Sequence, residues 1–232
     1  MYGKVERLEP SAPVPVIKIN DIVKNPGMAM NVAKNIGSLN MPYDIVTNSN
    51  WKNITKTRIV EENINHMFLR VDEETGYTKF NKKTVDFALY SAVIISDYDK
   101  GFLSKEDIIH ICNSHHLVFL DTKKPIGDWC KCATYVKIND AEYKNAEKIT
   151  DILKQKLIIT LGNKGACHLD KIYSVDKTEV KDVSGAGDTF LAGLVVEYMR
   201  SNSIEKSIKF ANKCATKVVQ KKGISAVLFK DC

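Results

Sequence analysis

A single carboxylate, Asp188, closes a run of small residues, Ser184-Gly185-Ala186-Gly187, and stands in front of an apolar repeat. In that repeat Phe190, Leu191, Leu194, Val195, Tyr198 and Met199 recur at helical spacing, which predicts a buried helix from about Asp188. Glycines let a backbone come close to a ligand, and the first N–H groups of a helix have no partners inside it. Together they form a pocket for an anion, favoured further by the helix dipole. In such a pocket Asp188 is a candidate general base for a hydroxyl proton. The amides of Gly185, Ala186 and Gly187 would hold the negative charge that develops. The alternative for these residues alone is a glycine turn with Asp188 as an ordinary helix N-cap.

The elements that must position this turn alternate along the chain. Ala92-Val93-Ile94-Ile95-Ser96 is a continuous apolar run of the kind that forms a buried parallel strand. Asp97, Tyr98, Asp99 and Lys100 follow it, at the strand end where α/β folds bind ligands. A helix is predicted from about Ser104, with Asp107 completing a capping box. Leu117-Val118-Phe119-Leu120 is a second strand, followed by Asp121-Thr122-Lys123-Lys124. Tyr135-Val136-Lys137-Ile138 is a third and leads into Asn139, Asp140, Ala141 and Glu142. Without context, that Asn-x-x-Glu spacing is a helix cap with a first-turn acid. Leu157 to Thr160 leads into Gly162, Lys164 and Gly165, and residues 166–169 and 172–175 form a hairpin joined at Asp170-Lys171. A last helix carries Ile204, Ile208, Ala211, Ala215, Val218 and Val219. Strands alternating with helices predict an α/β fold with a doubly wound, mostly parallel sheet flanked by helices.

The front of the chain reads differently. Its opening is punctuated by Pro10, Pro13 and Pro15, which exclude helix, and a strand is expected over about 14–19 with proline at its start. Further strands over 56–72 make a small β lid within a single domain, 1–232. Between them Pro26, Gly27 and Gly37 punctuate a short helix that carries Asn31, with Met28 and Met30 as core fillers. Arg58, Arg70 and Asp72 either contact a phosphate or pair across solvated strands.

Asp182-Val183-Ser184-Gly185-Ala186-Gly187-Asp188-Thr189-Phe190 resembles the signature of the ribokinase-like, pfkB-type carbohydrate kinases, with Ser184 as a conservative departure. The resemblance implies ATP-dependent phosphorylation of a sugar hydroxyl with magnesium, Asp188 as base and residues 185–187 as anion hole. It implies nucleotide contacts at Asn139, Asp140, Ala141, Glu142, Thr160, Gly162, Lys164, Gly165 and Asn212, with Glu142 acting on the metal indirectly. It implies sugar contacts at Gly27 and Asn31, joined by Arg58, Arg70, Asp97 and Lys100. Residues 9–16, 55–73 and 96–103 are similar to the heptose-7-phosphate kinase branch, so the implied acceptor is the anomeric hydroxyl of a heptose 7-phosphate. A hexose or nucleoside kinase is the other specificity within the family. Two parts of the family pattern lack a counterpart: an amino-terminal strand ending in Gly-Asp-x-x-x-Asp, and a strand–helix unit between Gly37 and Tyr43. Their absence supports a second reading, a catalytically impaired nucleotide-binding remnant with a regulatory role. No nucleotidyltransferase segment follows Cys232, so a fused synthase activity is not expected.

Bulk properties narrow the partners. At 232 residues, with 44% hydrophobic and 27% charged residues, the chain suits one large globular domain. The net charge of +6 favours anionic small molecules. No basic block interleaved with aromatics points to nucleic acid, no signal peptide is recognisable, and no apolar run is long enough to span a membrane. Cys112, Cys130, Cys132, Cys167, Cys214 and Cys232 have neither zinc nor Cys-x-x-Cys spacing, so reduced thiols in a cytoplasmic protein are expected. Apolar lid strands suggest a homodimer.

Overall fold

Strand residues that alternate between two apolar faces need helices on both sides. The computed structural model, which describes residues 1–25, 27, 29–73 and 76–231, supplies them. Pro26, Met28 and Cys232, read above as helix punctuation, a core filler and a reduced thiol, lie outside the described residues. Contacts divide the chain into two compact units, Met1–Asn25 with Asn48–Thr78, and Pro26–Thr47 with Lys79–Cys232.

The first unit is a four-stranded sheet in the order β2-β1-β3-β4. Strands β1 (Tyr2–Leu8) and β2 (Pro15–Asp21) form an antiparallel hairpin. β3 (Thr55–Glu61) lies parallel to β1 and antiparallel to β4 (His66–Glu73). The expected strands are present, and β1 is an addition. The prolines that exclude helix from the opening do not exclude strand: Pro10 and Pro13 fall in the turn. Pro15 begins β2, opposite Leu8, where a missing N–H does least harm. Every residue of β4 is exposed, Met67, Phe68, Leu69 and Val71 among them.

The second unit holds a six-stranded sheet in the order β10-β9-β8-β7-β6-β5. β5 (Val93–Asp97), β6 (Val118–Thr122), β7 (Tyr135–Asn139) and β8 (Leu157–Thr160) run parallel, whereas β9 (Ala166–His168) and β10 (Lys171–Tyr173) are antiparallel. The β9–β10 turn sits one residue earlier than expected, at Leu169 and Asp170, both with positive φ. That is the type I′ backbone that tight hairpins select. On one face Phe119, Ile158, Ala166 and Tyr173 pack against α1 (Ala29–Ser38), α5 (Ala186–Ser201) and α6 (Ile204–Val219). On the other, Ile95, Val118, Leu120, Val136 and Ile138 pack against α2 (Lys105–Ser114), the 3₁₀ segment Asp128–Cys132 and α4 (Asp151–Lys154). Helix α2 starts as expected: the Ser104 hydroxyl accepts from the Asp107 amide and the Asp107 carboxylate accepts from the Ser104 amide. No helix among the described residues is long and apolar enough to cross a membrane.

α5 is the central helix of the first face, with Leu191 and Leu194 fully enclosed. Leu194→Ala leaves a cavity in packed surroundings and is expected to cost about 2–5 kcal/mol of stability in urea unfolding. Leu89→Ala, at an exposed position away from β4, should stay within about 0.5 kcal/mol of the parent protein.

Candidate active site

Gly185 adopts a left-handed backbone, φ +80°, and a Cβ there would lie 2.7 Å from Nδ2 of Asn31. The turn needs glycine for both reasons. Helix α5 begins at Ala186, two residues earlier than the apolar spacing predicts, and Gly185 is its cap. Asp188 is therefore the third helical residue, which removes the N-cap reading and turns its side chain inward. It is 8% exposed. Its Oδ2 accepts from Asn31 Nδ2 at 2.9 Å and its Oδ1 from the Tyr98 hydroxyl at 2.6 Å.

Asn31 is itself held. Asn35, one turn along α1, donates to the Asn31 carbonyl at 2.8 Å and to its Oδ1 at 3.4 Å. The Asn35 Oδ1 in turn accepts from the Thr189 hydroxyl and from the Val227 amide, at 3.3 and 3.0 Å. Asp182 fixes the turn from its other side, accepting from the amides of Ser184 and Gly223.

Charge around the turn is arranged for an anion. The Ala186 amide is directed to the Val183 carbonyl at 3.2 Å, while among the described residues the amides of Gly187 and Asp188 meet no acceptor. The ammonium of Lys137, on β7, lies beside them: a Cβ on Gly187 would be 3.0 Å from its Nζ. Lys137 is 5% exposed and donates to Asp121 Oδ2 at 2.7 Å. Burial alone would strip its proton, but the Asp121 carboxylate outweighs burial and the lysine stays charged. For Asp188, burial is the largest influence and lifts its proton affinity above the ordinary carboxylate range. The Asn31 and Tyr98 donors only partly offset this. A carboxylate shifted upward is a better acceptor for a hydroxyl proton.

The candidate phosphate end is built on α3 (Asp140–Lys144). Asn139 Oδ1 accepts from the Glu142 amide and Glu142 Oε2 from the Asn139 amide, both at 2.8 Å, so the pair is a reciprocal capping box. The other Glu142 oxygen pairs with Lys123. Burial pushes Glu142 up, but Lys123 and the Asn139 amide bring it below the usual glutamate range, so it is ionised. Asp140 pairs with Lys144 at 2.5 Å, and Ala141 is exposed. Among the described residues no three His, Cys, Asp or Glu side chains are grouped to hold a metal. One ionised carboxylate beside a candidate phosphate site does fit magnesium that arrives with a nucleotide and keeps several waters.

The candidate nucleotide loop follows β8. Thr160 donates to the Ile138 carbonyl at 3.2 Å, and Gly162, Asn163 and Lys164 form an exposed 3₁₀ turn. Gly165 has φ +90°, and a Cβ there would lie 2.1 Å from the Tyr173 carbonyl. Asn212, on α6, is buried and donates to that same carbonyl at 2.7 Å. It therefore braces the loop.

The remaining expected residues divide. Asp97 is buried and fully engaged: its Oδ2 accepts from Thr122 Oγ1 at 2.6 Å and Lys124 Nζ at 2.9 Å, and its Oδ1 from the Asp99 amide at 3.1 Å. It clamps the ends of β5 and β6. Lys100 is half-buried in the same loop, and Gly27 is exposed ahead of α1. Arg58 and Arg70 belong to the small-sheet unit, where Arg70 makes a two-pronged pair with Asp72 at 2.7 and 2.6 Å. Both residues lie on β4, so this pairing runs along one strand and not across two. Sequence reasoning named Tyr98, Lys123, Lys124 and Lys137 in strands or at strand ends but gave none of them a role of its own in the site. The usable signal was a charge inside an apolar strand: a buried lysine at 137 demands a partner and an electrostatic reason.

Comparison with known proteins fits this geometry. Residues 55–230 match the model of the pfkB family of carbohydrate kinases. The bifunctional protein HldE of Helicobacter pylori strain HPAG1 is 31% identical over 96% of this chain and 60% of that protein. HldE of Escherichia coli O9:H4 strain HS is 29% identical over 97% and 58%. The chain thus spans about 60% of the length of these curated relatives. Thermotoga maritima ribokinase superposes with a TM-score of 0.70 at 13% identity, covering 99% of this chain and 93% of that one, a likeness of fold.

Burial of Asp188 has a consequence for stability. Its folded-state proton affinity is raised, so between the unfolded and folded pKa values the native state holds the extra proton. Stability from this group is therefore lost as pH rises through that window, and the full penalty is present above it. Asp188→Asn should melt at a higher temperature than the parent at pH 7, with the gap closing as pH falls toward the unperturbed value of about 3.9. Scanning calorimetry from pH 4 to 8 reads this; a variant that melts lower at pH 7 contradicts burial as the dominant influence.

Proposed function

The chain belongs to the pfkB family of carbohydrate kinases, and on that premise we propose that it transfers the γ-phosphoryl group of ATP to the anomeric hydroxyl of a heptose 7-phosphate. The observation that carries the kinase reading is the buried Asp188 carboxylate at the start of α5, beside open backbone amides and the Lys137 ammonium. The acceptor follows from the resemblance of residues 9–16, 55–73 and 96–103 to the heptose-7-phosphate branch, and from matches to HldE proteins along most of the chain.

In this mechanism Asp188 takes the proton of the attacking hydroxyl as its oxygen bonds to the γ-phosphorus and the bond to the β-phosphate oxygen breaks. The Gly187 amide and Lys137 face the transferring group, where charge spreads over three oxygens. Magnesium, when bound with the nucleotide, would supply charge neutralisation to the phosphates. Glu142 would hold its water shell once Lys123 turns to phosphate. Gly162, Lys164 and Gly165 line the nucleotide loop, which Asn212 braces from below. Reduced thiols and a cytoplasmic setting belong to this reading. The exposed apolar edge strand β4 supports a homodimer.

A panel of heptose, hexose and nucleoside acceptors, scored by ADP release, should give turnover with heptose 7-phosphate. ATP binding by calorimetry with no phosphorylated product from any acceptor would instead support a nucleotide-binding remnant. Lys137→Met combined with Asp121→Asn, which avoids an orphaned buried carboxylate, should lower kcat by about 10²–10³-fold with little change in ATP affinity. Light scattering should return twice the monomer mass, and Leu69→Lys on β4 should return a monomer.

A further inference from the structure

The loop after β5 is held with unusual firmness for a surface connection. Asp99 takes a left-handed backbone, φ +52°, which a non-glycine residue adopts only when its surroundings require it. Those surroundings are visible. The Asp99 amide donates to Asp97 Oδ1 at 3.1 Å, and Lys124 Nζ bridges the Asp97 and Asp99 carboxylates at 2.9 and 2.6 Å. Lys124 and Asp97 are buried, and the Thr122 hydroxyl completes the cluster. Between the two clamped aspartates stands Tyr98, whose hydroxyl reaches Asp188 Oδ1 at 2.6 Å. On its other side the Tyr98 ring lies 5.9 Å from Lys123 Nζ, which pairs with Glu142.

We propose that Tyr98 is a positioning residue for the base: the Asp97–Lys124–Asp99 clamp aims its phenol at Oδ1 of Asp188 while Asn31 holds Oδ2, so that the carboxylate is kept ionised and oriented. Its role as a base rests on the kinase reading above. The hydrogen bond itself does not. Asp188 Oδ1 retains a second lone pair for the acceptor hydroxyl, so Tyr98 need not leave during turnover. The phenol stays protonated, because burial first and then the Asp188 charge push its ionisation far upward; it donates and does not compete as a base. The groups that face Asp188 are Tyr98 from this loop, Asn31 from α1, Asp121 from the end of β6 and Lys137 from β7. Glu142 and Lys123 border the phenol.

Tyr98→Phe removes one oxygen and keeps the ring. The acid limb of the kcat/KM profile for the sugar phosphate should move to higher pH, and kcat near pH 6 should fall about 10- to 100-fold, the range expected on losing a hydrogen bond to a charged group. KM for ATP should hold. A second measurement needs no turnover: the melting temperature of the parent, Tyr98→Phe, Asp188→Asn and the double variant at pH 7. Without the phenol the buried carboxylate is more costly, so Asp188→Asn should raise the melting temperature further in the Tyr98→Phe background than in the parent. Equal increments in the two backgrounds, or an unmoved acid limb, would overturn the proposal. If the parent phosphorylates no acceptor, the kinase reading fails while the thermal cycle still decides Tyr98.

Discussion

The hydrogen bond from Asn31 to Asp188 joins residues 157 positions apart, and the geometry of the site depends on it. It fixes α1 against the first turn of α5, and the side chain that makes it also occupies the space that only glycine at 185 leaves open. Behind it Asn35 ties the same two helices to the main chain at Val227. Buried asparagines are tolerable only when their polar atoms are satisfied. Here the satisfaction is reciprocal: the network that relieves Asn31 and Asn35 also sets where the carboxylate stands. Removing one member would leave several buried polar atoms without partners, which is why this network is all-or-none.

Charges beneath the turn follow a second rule. Parallel strands β5, β6 and β7 end side by side, which brings Asp97, Asp121 and Lys137 to one edge of the sheet. Each buried ion costs several kcal/mol of desolvation, so a folded chain keeps them as pairs: Lys124 with Asp97, Lys137 with Asp121. Hydrophobic residues of similar size would hold this edge together at least as well. The pairs place fixed positive charge and fixed carboxylates where the proposed mechanism brings an anion and a hydroxyl together, in surroundings where water does not screen them. Asp188 carries the cost of that arrangement in its raised proton affinity.

The candidate nucleotide side is organised around backbone support. Asn139 and Glu142 cap each other at the entrance to α3, and Asn212 and the Tyr173 carbonyl hold the loop around Gly165. A helix cap and a phosphate ligand are not exclusive uses for such residues. The capping bonds are what give Glu142 a single orientation, with one oxygen committed to the Asn139 amide and the other to Lys123.

Much was determined by the sequence alone. The Gly-Ala-Gly-Asp string, the strand ends at 97, 121 and 139, the Ser104 capping box and the β9–β10 hairpin are local features. Spacing, propensity and turn chemistry act over a few residues and can be read in order. The family likewise follows from linear motifs. Tertiary structure decided what spans long separations. Asp188 proved to be inside α5 rather than at its cap, because Gly185 can take the left-handed turn two residues earlier. Asp97 and Asn212 became braces, since each finds a partner far along the chain at Lys124 or Tyr173. The opening segment became a strand, because β2 and β3 offered it a ladder on each side. Tyr98 and Lys137 joined the site only when parallel strands brought their ends together, and no local pattern encodes which strand end lies next to which.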